Sequence, residues 1–201
     1  MPQPGPRAIS APTWLALAAA LALGGVAGHA AALPADLAPA VEVSEDGHGA
    51  SGLVRATIDI DAPPATVWRL LIDCADAPRL MVNLKSCRVV DRDPAGHWDV
   101  RENISRGSFL PGVRTVVRAD YSAPYLIRFH RVDGDLKVLE GEWRLTATDD
   151  GAQTHLAYES RVAAPFAAPG VIVRAVLRHD MPITLSNLRR ACEDQAAAQR
   201  P

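Results

Sequence analysis

Neither sign of charge dominates this chain of 201 residues: 21 lysines and arginines stand against 23 aspartates and glutamates. Such a balance leaves no footprint for a polyanion, which sets nucleic acid aside as a partner. Cysteine is scarce, with three in all, and none belongs to the paired C-x-x-C clusters of a zinc site. The six histidines, at 29, 48, 97, 130, 155 and 179, form no H-x-H or H-E-x-x-H, so no metal site is expected. G-x-S-x-G, P-loop and G-x-G-x-x-G patterns are all missing, and with them the usual signatures of a serine nucleophile or a nucleotide cofactor. No cofactor is expected. Long apolar runs are absent from all but the start of the chain.

That start is distinctive. The first thirty residues carry one charged side chain, Arg7, ahead of "TWLALAAALALGGVAGHAAA". A short basic opening, an apolar stretch and then small residues read as a secretory signal peptide over residues 1–30. Small side chains at Gly28, Ala30 and Ala32 suit cleavage after Ala30 or Ala32. The alternative is an uncleaved anchor, but the run is rich in Ala and Gly and poor in strong hydrophobes for a span of about 20 residues. Export across the inner membrane, into the periplasm, is the expectation. Removing residues 1–30 leaves 20 basic and 23 acidic side chains, enough chain for one domain with a real core. Export also places the cysteines in an oxidising compartment. Cys74 and Cys87 are separated by 12 residues and are expected to be bridged. Cys192 reads as a small core residue.

Residues 31–50, "AALPADLAPAVEVSEDGHGA", show no sustained period and read as a flexible arm; the domain proper is set at 51–197. It opens with "LVRATIDIDAP", where Val54, Ala56, Ile58 and Ile60 share one face of a strand. Pro63 and Pro64 then start a helix striped by Val67, Trp68, Leu70, Leu71 and Cys74, and Pro78 starts a second short one. From residue 84 onward, strand patterns alternate with turn signals such as Asp93-Pro94-Ala95-Gly96 and Asp133-Gly134, as an antiparallel meander would. A long helix from about Pro169 to Gln195 closes the chain, with Val173, Leu177, Met181, Leu185, Leu188 and Cys192 on one stripe and Pro182 inside it. Antiparallel strands with helices at the ends mean an α+β fold. One long helix across a curled seven-stranded sheet cannot fill the hollow evenly, which leaves an apolar cavity suited to a ligand.

The segments "IDIDAPPATVWRLLID", "RLMVNLKSCRVVDRD", "VLEGEWRLTATDDGAQTHLAYESRV" and "VLRHDMPITLSNLRRACE" resemble the START-like helix-grip superfamily (SRPBCC), in its polyketide cyclase/dehydrase and lipid-transport branch. They span about residues 52–195. The resemblance implies a curved seven-stranded antiparallel sheet wrapped around a long C-terminal helix, with two short helices after the first strand. It implies little about substrate, because that superfamily includes lipid carriers, coenzyme-Q-binding proteins and aromatic cyclases.

Alternation nominates the site residues. The candidate lining of the cavity is Trp98, Val100, Val117, Phe129, Trp143, Tyr158, Leu177 and Met181. In "GDLKVLEGEWRL", Trp143 and Leu145 point inward, so period two turns Glu140 and Glu142 to water, with Arg128 or Arg118 as cross-strand partners. Those two carboxylates are therefore not an active site. Glu102 shares the parity of Trp98, Val100 and Ile104 and is expected to face inward, where it either meets a ligand head or pairs with an arginine. It is the one candidate acid for catalysis. The loops "RGSFLPG" and "VAAPFAAPG" expose Phe109, Leu110 and Phe166, which either close the cavity mouth, touch a membrane surface transiently, or pack on the last helix. The leading expectation is a non-enzymatic binder of a hydrophobic small molecule, a lipid or isoprenoid quinone. Its rivals are a cyclase or dehydratase in the same cavity and a module that binds another envelope protein.

Overall fold

The computed structural model describes residues 38–47, 51–106, 112–164 and 169–199. Eight strands form one antiparallel sheet: β1 (Ala40–Ser44), β2 (Gly52–Ile60), β3 (Leu84–Arg92), β4 (Trp98–Ser105), β5 (Val113–Ser122), β6 (Leu126–Gly134), β7 (Val138–Thr148) and β8 (Gln153–Ala163). Helices α1 (Pro64–Ile72) and α2 (Ala77–Leu80) follow β2, and α3 (Gly170–Gln199) ends the fold. The spatial order is β1-β2-β8-β7-β6-β5-β4-β3, so β3 to β8 form a continuous meander and β2 closes against its last strand. This is the expected helix-grip architecture with one strand more than expected. The eighth strand comes from the stretch read as an arm, where Val41 and Val43 face inward opposite Ala56 and Val54. Only five residues long and set among small side chains, it has too few alternations to stand out in the sequence.

Alternation builds the sheet's inner face. Val54, Ala56, Ile58 and Ile60 are all buried on β2, and Leu156 and Leu145 meet them from β8 and β7. Over this face lie α1, entered through Pro63 and Pro64, and the second half of α3, which buries Leu185, Leu188 and Cys192. The first half of α3 is less covered; Val171 and Ile172 are exposed. The helix runs unbroken through Pro182. Cys74, just beyond α1, is bridged to Cys87 on β3 with Cα atoms 5.3 Å apart, tying the helical cover to the far edge of the sheet. Cys192 is buried, as expected of a core residue, and burial pushes its thiol up to about 12.

The outer face carries arginine–carboxylate pairs. Glu140 accepts from Arg161 at 2.7 Å, and Glu142 is held by Arg128 at 3.4 Å and by Arg144. Both glutamates are thus on the wet side, with Arg128 as a cross-strand partner. Arg118 instead pairs with Asp120 at 2.9 Å. Pairs this exposed contribute about 0–1 kcal/mol each and act mainly as surface.

Candidate functional site

A cavity of about 170 Å³ lies between the inner face of the sheet and the three helices. Strands supply its floor through Val117 and Ala119 of β5, Phe129 of β6, Trp143 of β7 and Tyr158 of β8, while Leu70, Leu80 and Leu188 form the roof. The aromatic rings hold one another in place: Trp143 and Tyr158 have centroids 4.2 Å apart, and Phe129 stacks on Tyr158 at 6.2 Å. Gly141 makes room for this stack. A Cβ there would lie 2.8 Å from the Phe129 ring and 2.2 Å from the Glu159 carbonyl oxygen. Burial pushes the Tyr158 hydroxyl up to about 12.

One end of the cavity is polar. Arg101, on β4, donates through Nε to Asp99 Oδ1 at 2.9 Å and through Nη2 to Asp99 Oδ2 at 2.5 Å. Nη2 also reaches the Tyr121 hydroxyl at 2.6 Å and the Ile72 carbonyl at 3.2 Å, at the end of α1. Tyr121 in turn donates to Asp99 at 2.7 Å, and its ring meets Trp68 edge-on at 5.8 Å. The side chains of Arg101 and Asp99 are 11% and 12% exposed, so the pair is largely desolvated. Burial works against the Arg101 charge, yet the bonds to Asp99 hold it protonated above the ordinary arginine value. Burial likewise holds the Tyr121 proton well above the ordinary tyrosine range. The result is a neutral group in which, among the described residues, Arg101 Nη1 has no hydrogen-bond acceptor. Asn103, two residues along the same face, adds a carboxamide to the cavity wall.

Of the eight lining residues expected from alternation, the cavity brings together Val117, Phe129, Trp143 and Tyr158. The other four lie elsewhere. Trp98 and Val100 are on the outer face of β4, where the Arg118 guanidinium sits 4.2 Å over the Trp98 ring. Met181 packs against the core, and Leu177 lies against the start of β2 at Gly52. Glu102 is also corrected: it faces outward, accepting from Arg88 at 2.9 Å and Arg114 at 2.6 Å. The two arginines hold its carboxyl below the usual glutamate range, so it is an ion-pair partner, as one reading had it, and no acid for the cavity. The parity of β4 is the reverse of the expected one for a single reason. Its apolar side chains cover the outer face while Asp99, Arg101 and Asn103 turn in, the reverse of an ordinary half-buried strand. An Asp-x-Arg on a strand, with a tyrosine on the neighbouring one, was the available signal. Phe109, Leu110 and Phe166 lie outside the described residues.

A second, larger hollow of about 520 Å³ lies between α2 and α3, but Asp76, Arg79, Arg190 and Asp194 line it and it is open to water. The apolar cavity is the better ligand site. Among the described residues no cluster of three or more His, Cys, Asp or Glu is arranged to hold a metal ion, and no helix is long and apolar enough to cross a membrane.

Residues 60–189 match the family described as polyketide cyclase / dehydrase and lipid transport. No curated protein matches the chain. Among solved structures, the Zhui aromatase/cyclase from Streptomyces sp. R1128 is 16% identical, with 73% of this chain and 94% of that one covered at a TM-score of 0.58. A STAR-related lipid transfer protein from Xanthomonas axonopodis is 13% identical, with 76% and 98% covered at 0.61. TTHA0849 from Thermus thermophilus is 22% identical, with 74% and 99% covered at 0.59. Identities this low speak to the fold, which a cyclase and a lipid carrier share.

Proposed function

This chain belongs to the polyketide cyclase/dehydrase and lipid transport family, and from that premise we propose that it binds a hydrophobic small molecule, a lipid or isoprenoid quinone, in the cavity between sheet and helices. One observation carries the reading: an apolar cavity that ends in a desolvated, internally neutralised Asp99–Arg101–Tyr121 group, with no acceptor for Arg101 Nη1 among the described residues. Apolar walls take up the body of the ligand. The fixed guanidinium receives an acceptor oxygen, such as a carbonyl, without having to reorganise.

Size sharpens this. A void of roughly 150 Å³ holds benzene, so about 170 Å³ admits one ring or a short chain segment. Burying a ring of ~150 Å² of apolar surface at about 25 cal/mol per Å² gives ~4 kcal/mol, millimolar binding at best. Tighter binding needs the oxygen contact at Arg101 and a tail that leaves the cavity past Met81, whose side chain is 44% exposed at the rim.

Native mass spectrometry of the protein recovered from its exported form, with organic extraction, tests the reading. A stoichiometric lipid or quinone is expected. Protein that comes out empty and takes up no apolar probe removes it, and favours a module that binds another envelope protein. The same sample tests export: an intact mass starting at Ala31 or Leu33 is expected, and retention of residues 1–30 points to an anchor. The bridge at Cys74–Cys87 supports an oxidising destination.

An enzymatic reading, cyclisation or dehydration of an aromatic polyketide-like substrate, occupies the same cavity. With Glu102 on the outer face, Tyr121 and Tyr158 are hydroxyl acids in the cavity wall that burial keeps protonated, and Tyr121, bonded to Arg101, is the candidate. Turnover of such a substrate that survives Tyr121→Phe unchanged removes that candidate.

A further inference from the structure

One transverse row on the inner face of the sheet carries two arginines. Arg101 of β4 is the register partner of Val117 on β5, and Val117 is the register partner of Arg131 on β6. With neighbouring strands about 4.8 Å apart, the two arginine backbones stand roughly 10 Å apart with Val117 between them. Arg131 has the parity of Ile127 and Phe129, both in the cavity wall, whereas Arg128 and His130 on the other parity are exposed. Its partner Val117 is also in that wall, while Arg131 itself is not one of the lining residues and stands next to them on the same face.

A bulge follows it. Beyond Val117–Arg131 the register slips to Val116–Asp133, leaving Val132 extra and 46% exposed. The slip returns Asp133 to the outer face, where its carboxylate is taken by Arg114 at 2.8 Å. The carboxylate closest in sequence to Arg131 thereby forms its ion pair with Arg114 and feels Arg131 only through space.

The two arginines differ in what surrounds them. Arg101 is neutralised by Asp99 through two hydrogen bonds. Arg131 has no carboxylate within ion-pair distance among the described residues; its Nη2 donates to the Gly134 carbonyl at 3.0 Å, and its Nε is buried with no hydrogen-bond partner. Buried donors are almost always satisfied, and a dry cation edge calls for an acceptor with negative charge. A neutral ligand oxygen at Arg101 leaves the Arg131 Nε–H without an acceptor.

We propose that Arg131 anchors an anionic group of the ligand, so that the molecule carried is an amphiphilic acid, a hydrophobic carboxylate, in preference to a neutral lipid. This rests on the cavity reading above and narrows it. The guanidinium offers charge and Nε–H together, and a carboxylate answers both with short charge-assisted bonds.

The test compares decanoate with methyl decanoate, the same chain with and without the charge, by calorimetric titration of the mature protein at neutral pH. Wild type is expected to bind decanoate about tenfold more tightly or better, the gain of a hydrogen bond to a charged group. Arg131→Gln is expected to lose that preference while keeping the affinity for the ester, and Arg131→Lys to retain most of it. Equal binding of acid and ester by wild type overturns the proposal and leaves the cavity reading standing. A preference that survives Arg131→Gln but disappears in Arg101→Met overturns it by moving the anchor to Arg101. Binding of neither compound removes the cavity reading and this inference with it.

Discussion

Asp99 and Arg101 are each worth less as a pair than either would cost if left alone. Taking two charges out of water nearly cancels their attraction, but removing one strands the other in a desolvated place. Asp99→Asn is therefore expected to lower stability by about 3 kcal/mol in urea unfolding, since Arg101 would stay charged at 11% exposure. The double replacement Asp99→Leu with Arg101→Met should return to within about 1 kcal/mol of wild type while losing the ligand's oxygen contact. A double variant as unstable as the single one would show that the bonds from Arg101 to Ile72 and Tyr121 matter more than the charge. Glu102 behaves differently because it faces water with two arginines. Its folded pKa is depressed by the hydrogen bonds from Arg88 and Arg114. The stabilisation is thus complete above the unfolded-state value and lost as the pH falls through the folded one. Glu102→Gln should melt below wild type at neutral pH, and the gap should close in acid. A gap that persists at low pH would mean the glutamate acts through packing.

At the level of elements, the position of the cavity roof depends on a tether. Leu70 and Leu71 belong to α1 and Leu80 to α2, while Cys74 between those helices is bridged to Cys87 on β3. Helix α2 has four residues, too few to hold itself by its own hydrogen bonds. The bridge closes a loop of 13 residues in sequence, for which loop-closure entropy gives about 3 kcal/mol. Reduction is expected to lower the melting temperature by roughly 5–10 °C for a domain of this size. It should also weaken ligand binding, because the roof loses its attachment to the sheet edge. Free thiols before reduction, with an unchanged melting temperature after it, would remove the bridge. Loss of stability with ligand affinity intact would show that α1 and α3 place the roof without help.

For the whole molecule, cavity and stability trade against each other. An unfilled interior forgoes dispersion contacts that a packed one would have. Val117 lies in the floor between the two arginines and borders empty space. Val117→Phe is expected to fill part of the cavity, leaving the melting temperature unchanged or higher while abolishing uptake of apolar ligand. Binding that persists with the floor filled would place the ligand elsewhere, with the polar hollow between α2 and α3 as the next site to probe.

Period and punctuation already contained the architecture: strand, two proline-started helices, a meander and a long helix are all readable from Val54–Ile60, Pro63-Pro64, the turn signals and the stripe ending at Cys192. The floor was half readable too. On β5 to β8 the inner parity is mostly apolar, so Val117, Phe129, Trp143 and Tyr158 stand out, and Glu140 and Glu142 fall on the side of water. The polar end was not readable. Alternation reports which face is greasier, and on β4 the polar face is the inner one because Asp99, Arg101 and Tyr121 satisfy one another there. That satisfaction needs β4, β5 and α1 to meet, from positions up to 49 residues apart along the chain between Ile72 and Tyr121. Arg131 is a sharper case. Its inward direction follows the parity of Ile127 and Phe129, but the turning of Asp133 away to the outer face follows from a single extra residue, Val132, in a register that exists only once the strands have paired.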